Sequence, residues 1–174
     1  MWIFNFKKKK DNSNMKVNLK KCAVDSDLKK YADEILSKAV YRYDQRDRIG
    51  KNEVDGGYWF SSDVQLVKSY CTHRVKGDKF YKAKIYLKNP LVVECNHGRH
   101  TYLVEENLIF SSEVAMKCEE TTDDIAKMAR DQGYDGVIFK DIKENGRFDL
   151  PSTCSICVFD SKAIVDLENI MDKI

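Results

Sequence analysis

Gly57-Tyr58-Trp59-Phe60-Ser61-Ser62-Asp63-Val64-Gln65-Leu66-Val67-Lys68-Ser69-Tyr70 carries the change of period on which the fold reading turns. Asp55, Gly56 and Gly57 supply turn chemistry at its start. Residues 58–60 form a short aromatic run that suits a strand. Ser61, Ser62 and Asp63 are candidate helix caps, and Val64, Val67 and Tyr70 recur at helical spacing. The spacing predicts a short helix to about Tyr70. A strand that ends in hydroxyls at a helix start makes a polar pocket with backbone donors. Trp59 and Tyr70 bracket the helix, and two aromatics so placed can hold a flat heteroaromatic ring between them. The same residues also suit an ordinary strand–turn–helix with core aromatics, so the rest of the chain has to decide.

A chain of 174 residues suggests one domain with a sizeable core. Its 43% apolar and 33% charged content is that of an ordinary globular protein. A net charge of +2 gives no strong electrostatic argument for nucleic acid. No run approaches the length of a membrane helix. Met1-Trp2-Ile3-Phe4-Asn5-Phe6 precedes Lys7-Lys8-Lys9-Lys10, the reverse of the order in a secretory signal. Residues 1–20 therefore read as a mobile leader, with a weak membrane-interface anchor as the alternative. Residues 21–174 read as one domain without a signal peptide, at work in a cytoplasm or delivered into one. Cys22, Cys71, Cys95, Cys118, Cys154 and Cys157 are spread out and read as reduced thiols. The C-x-x-C at Cys154 and Cys157 sits in a strand pattern, not at a helix start, which argues against a redox role. Cys95, His97 and His100 are a possible metal cluster, but their loop reads more simply as a solvated turn, and no metal is expected.

Asp25 or Ser26 is placed to cap a helix with the stripe Leu28, Tyr31, Ala32, Ile35, Leu36 and Ala39. Val40-Tyr41-Arg42-Tyr43 is a short β-type run with one arginine inside it. In residues 80–88, Tyr81, Ala83, Ile85 and Leu87 alternate with Lys82, Lys84, Tyr86 and Lys88, as in a half-exposed strand. Asn89-Pro90 interrupts the run and Leu91-Val92-Val93-Glu94 resumes it. Residues 101–120 are ambiguous, with room for a short helix. Thr121 or Thr122 caps a helix whose buried face is Ile125, Met128 and Ala129, and which ends at Gln132-Gly133. Strands follow over residues 134–140 and 155–159, and residues 161–174 close the chain as a strand end and short helix. The class is α+β.

These pieces resemble the ADP-ribosyltransferases of bacteria and phages. Trp59 and Tyr70 fall where the poly- and mono-ADP-ribosyltransferase branch has its two nicotinamide-binding aromatics. Phe60-Ser61-Ser62 resembles the Ser-Thr-Ser-like strand of the arginine-type toxin branch, and Tyr41-Arg42 its first-strand Tyr-Arg. Asn89-Pro90-Leu91-Val92-Val93 and Gly133-Tyr134-Asp135-Gly136-Val137 are similar to segments of bacterial and phage transferase-like domains, as is Cys157-Val158-Phe159-Asp160 with Ile164. The resemblance spans roughly residues 40–165 and implies a split, mixed or antiparallel β-core with flanking helices.

It also implies an NAD-dependent mono-ADP-ribosyltransferase that releases nicotinamide and modifies a macromolecular acceptor: protein, RNA or DNA. Arg42 would hold the phosphates, which a guanidinium does by bidentate bonds. Ser61 would hold the ribose, and Trp59 and Tyr70 the nicotinamide, with Tyr41, Phe60 and Ser62 completing the NAD site. The family normally places a glutamate or aspartate at the start of the strand that ends here in Phe159. The matching residues are Thr153-Cys154-Ser155, without an acid. Asp149 is the nearest upstream substitute, Glu144 a more distant one, and Ser155 is placed to bond a ribose hydroxyl. An NAD glycohydrolase and a non-catalytic binding module that kept the cleft are the alternatives.

Overall fold

The computed structural model describes residues 20–44, 57–71, 77–116, 119–143 and 151–173. The expected leader, up to residue 19, lies outside the described residues. In chain order the elements are β1 (Lys20–Lys21), β2 (Ala23–Val24), α1 (Leu28–Leu36), β3 (Val40–Asp44), β4 (Tyr58–Ser61) and α2 (Val64–Tyr70). Then come β5 (Lys79–Ile85), β6 (Pro90–Glu94), β7 (Leu103–Val104), β8 (Ile109–Phe110), β9 (Ala115–Met116) and β10 (Glu119–Glu120). The last are α3 (Thr122–Asp131), β11 (Gly136–Ile142), β12 (Thr153–Val158) and β13 (Ile164–Asn169).

Each helix starts for a local reason. In α2 the extended Asp63 accepts from the amides of Gln65 (2.8 Å) and Leu66 (3.2 Å), two donors the helix cannot satisfy itself. In α3 Thr121 and Asp124 close a reciprocal capping box, and Gly133, at φ 84°, turns the chain out at the other end. α1 differs from expectation. Its cap position is Asp27, whose side chain makes no cap bond, while the Asp25 carboxylate accepts from the Asp27 amide at 2.9 Å. Packing of Leu28, Ala32 and Ile35 therefore carries this helix.

Residues 101–120 hold no α-helix among the described residues. They form short strands and a 3-10 turn over Glu105–Asn107. Leu103, Leu108 and Phe110 are the buried anchors there, a spacing with neither the 3.6 nor the 2.0 period. In β5 the inward face is as expected at Ala83 and Ile85, with Leu87 buried beyond the strand's end, but Phe80 on the opposite face is also buried. α2 and the C-terminal segment cover that end of the strand, through Val67, Cys71 and Ile170. Cys95 likewise joins the core, and only Asn96 and His97 beyond it form the exposed turn, with φ of 46° and 65°.

Nine strands make one sheet in the order β13-β5-β3-β4-β12-β11-β6-β8-β2. Pairings are antiparallel except β6 with β11 and β2 with β8. This mixed, mainly antiparallel sheet with three helices is the α+β architecture that the resemblance implied. Its distinctive feature is a seam. β12 meets β4 over four register pairs, and β3 meets β5 over five. Between β3 and β4 the register is the single pair Tyr41 with Ser61. On the α1 side a continuous core bridges the seam, joining Val40, Ala83 and Ile85 to Tyr58, Phe60 and Ile156. The α3 side packs a separate core around Ile125, Ala129, Val137 and Phe139.

The Gly-Tyr-Asp-Gly run serves this framework residue by residue. The Tyr134 and Ser112 hydroxyls meet at 2.9 Å. The Asp135 carboxylate accepts from the amides of Lys88 (2.6 Å) and Asn89 (3.1 Å), just ahead of Pro90, which has no amide hydrogen to give. A Cβ at Gly136 would lie 2.7 Å from the Cys157 carbonyl oxygen, so only glycine lets β11 lie this close to β12.

Candidate functional site

The seam opens as a cleft of about 380 Å³. β3 contributes Tyr41, Arg42 and Asp44 to its wall; β4 contributes Trp59, Phe60 and Ser61. Tyr70 comes from α2 and Ser155 from β12. Residues facing one another in register share a sheet face, so Tyr41, Ser61 and Ser155 stand in one row across the seam.

Arg42 is held rather than loose. Its Nε donates to Asp44 Oδ1 at 2.7 Å, with side chains 11% and 5% exposed, and its guanidinium lies 5.9 Å from the Phe60 ring centre. Asp44 Oδ2 is buried without a hydrogen-bond partner among the described residues. Ser61 Oγ donates to the Cys154 carbonyl at 3.0 Å and accepts from the Asp63 amide at 3.1 Å. The hydroxyl thus ties β4 to β12 and steadies the start of α2. Trp59 stacks on Phe139 at 5.7 Å and 22°. Tyr70 is 41% exposed, at the mouth of the cleft.

Of the expected NAD-site residues, Tyr41, Arg42, Trp59, Phe60, Ser61, Tyr70 and Ser155 come together in this cleft. Ser62 is not among the residues that line it; its amide donates to the Cys154 carbonyl at 3.2 Å. Asp149 and Glu144 lie outside the described residues. Sequence reasoning missed Asp44, His100, Thr122 and Asp123, which also line the cleft. Asp44 had a readable signal, since a carboxylate two residues after an arginine in a strand shares its face. His100 had none, because only tertiary packing brings the 95–100 loop to α3. The Thr122 amide and hydroxyl both donate to the His100 carbonyl, at 2.9 and 3.4 Å.

Burial pushes the Cys157 thiol up to about 12 and Cys154 up to about 11, and burial raises Cys95 as well. Cys154 and Cys157 lie three apart on one strand, so their side chains leave opposite faces of the sheet.

The comparisons agree with this geometry. A family model described as ADP-ribosyltransferase in polyvalent proteins matches residues 37–169. The match begins just before β3 and ends with the last residue of β13, so it takes in the whole seam. No curated protein and no solved structure gives a significant match. On the span of the family match, this chain belongs to the ADP-ribosyltransferases found in polyvalent proteins.

Proposed function

We propose that this chain is a mono-ADP-ribosyltransferase, cleaving the nicotinamide–ribose bond of NAD and passing ADP-ribose to a macromolecular acceptor. The observation that carries the reading is the convergence of Arg42, Trp59, Ser61, Tyr70 and Ser155 on one cleft at the seam. Arg42, oriented through Nε by Asp44, keeps its terminal nitrogens for the diphosphate. Trp59, backed by Phe139, offers a rigid wall for the nicotinamide ring, and Tyr70 closes over it from the mouth. Ser155 and Ser61 face the ribose between them.

A second reading, a binding module without turnover, is favoured by one observation. The start of β12 carries the buried Thr153 and Cys154 in place of an acid. Titration with NAD by calorimetry, followed by assay of nicotinamide release with and without candidate protein and nucleic-acid acceptors, separates the readings. Transfer releases nicotinamide only with acceptor, hydrolysis releases it in water alone, and a binding module takes up heat without release. Absence of any NAD binding refutes all three.

A further inference from the structure

One oxygen on the cleft wall is left over once Arg42 has been oriented. Asp44 lines the seam cleft and is 4% exposed. Its Oδ1 accepts from Arg42 Nε at 2.7 Å, while Oδ2 is buried with no hydrogen-bond partner among the described residues. Burying a carboxylate oxygen without a donor costs free energy, which a donor that reaches it recovers. A carboxylate offers acceptors only, so what Oδ2 wants is a hydroxyl or an N–H. The way to it is the seam. β3 is laddered to β5 over five register pairs, the last being Asp44 with Lys79. Its one register pair with β4 is Tyr41 with Ser61, three residues before Asp44. A ligand that enters beside Asp44 therefore parts β3 from β4 where no ladder bonds have to break.

The order of residues along β3 identifies the part of a dinucleotide that arrives there. Tyr41 stands in the row with Ser61 and Ser155, the proposed place of the nicotinamide ribose. Arg42 comes next, with the diphosphate. Asp44 shares the face of Arg42 and lies two residues, about 7 Å, further along the strand. The group on the far side of the diphosphate is the adenosine ribose, whose hydroxyls are donors a few covalent bonds from the phosphate.

We propose that Asp44 Oδ2 accepts a hydrogen bond from the 2′-hydroxyl of the adenosine ribose and so selects NAD over its 2′-phosphorylated form, NADP, an inference that rests on the NAD reading above. The hydroxyl supplies the donor that Oδ2 lacks. A 2′-phosphate has lost that donor and brings negative charge against a carboxylate. Arg42 does not offset this, because its terminal nitrogens are taken up by the diphosphate. Asp44 thus serves the site with both oxygens, one orienting the arginine and one reading the sugar.

The test is calorimetry of full-length wild type and Asp44→Asn with NAD, NADP and NAD that lacks the 2′-hydroxyl of its adenosine ribose. Wild type is expected to bind NAD at least about tenfold more tightly than either of the others, the scale of one hydrogen bond to a charged group. In Asp44→Asn the amide oxygen still accepts from Arg42, while an amide nitrogen takes the place of Oδ2 and donates. The variant is expected to lose the preference, with NAD weakened about tenfold and NADP within about threefold of its wild-type affinity. A wild type that binds all three within about threefold overturns the role of Asp44 and leaves the NAD reading standing. That comparison needs no variant, so it decides even where Asp44→Asn fails to fold. An Asp44→Asn protein that keeps the wild-type preference, whether it weakens all three ligands alike or none, also overturns the role, since Asp44 then does no more than hold Arg42. A wild type that binds none of the three overturns both this role and the NAD reading.

Discussion

Replacing Arg42 with alanine tests whether the arginine at the seam is held by Asp44 and whether it holds a ligand in turn. The substitution removes the donor 2.7 Å from Asp44 Oδ1. Asp44 Oδ2 already lacks a partner among the described residues, so a 4% exposed carboxylate would be left with neither oxygen bonded there. Breaking a buried pair from one side costs about 3–5 kcal/mol. For a chain of this length that corresponds to a melting temperature lower by roughly 10 °C. The double variant Arg42→Met/Asp44→Leu replaces both charges by apolar groups and should recover most of the loss, to within about 1 kcal/mol of wild type. Urea unfolding of wild type, Arg42→Met, Asp44→Leu and the double variant gives the coupling energy directly. The folded double variant should bind NAD roughly tenfold to a hundredfold more weakly, since a charged hydrogen bond contributes about 1.5–3 kcal/mol. A coupling energy under about 0.5 kcal/mol, within the additivity expected of independent sites, refutes the buried pair. Unchanged affinity in the double variant refutes the phosphate role of Arg42.

Two further outcomes follow from the backbone and the thiols. Gly57→Ala places a Cβ 2.2 Å from the Val158 carbonyl oxygen at φ 140°, whereas Gly77→Ala at φ 103° meets nothing within 4 Å. Backbone strain costs about 1–3 kcal/mol at each, so only the excess at Gly57 reports the clash, and equal melting temperatures would show that β4 does not need this close approach. Cys95, Cys154 and Cys157 all titrate above an unfolded thiol's value of about 8.5. Below that pH both states are protonated and the full stability is present; above it the unfolded chain ionises first, so stability falls as pH rises toward 11–12. The urea midpoint should therefore drop between pH 8 and 10, and native protein at pH 8 should leave these three thiols unalkylated; rapid alkylation of any of them contradicts the burial.

The sequence was most legible where one residue's local chemistry decides the structure. Asp63 and Thr121 cap as their types and neighbours dictate, and Gly133 ends α3 because its φ suits glycine. Tyr41, Arg42, Trp59 and Ser61 were brought together by the resemblance to ADP-ribosyltransferases, since no local period links β3 to β4. Phe80 was illegible, since its partners Val67 and Ile170 are distant in the chain and mark no period within β5. His100 and Asp123 were illegible for the same reason: one comes from a loop and the other from a helix start, two segments joined by the Thr122 bonds to the His100 carbonyl. Asp44 was overlooked although its spacing from Arg42 states the pairing.

The seam bears on when the cleft is assembled during synthesis. The chain crosses it between β2 and β3, between β3 and β4, between α2 and β5, between β5 and β6, and again between β12 and β13. Neither half of the sheet is one continuous segment. The bond that ties Ser61 to β12 joins residues 93 positions apart. Pairings of such long separation close late in folding, after local helices and turns have formed. A nascent chain that has not yet made β12 lacks Ser155 and the carbonyl that holds the Ser61 hydroxyl, so the cleft is complete only with the last third of the sequence.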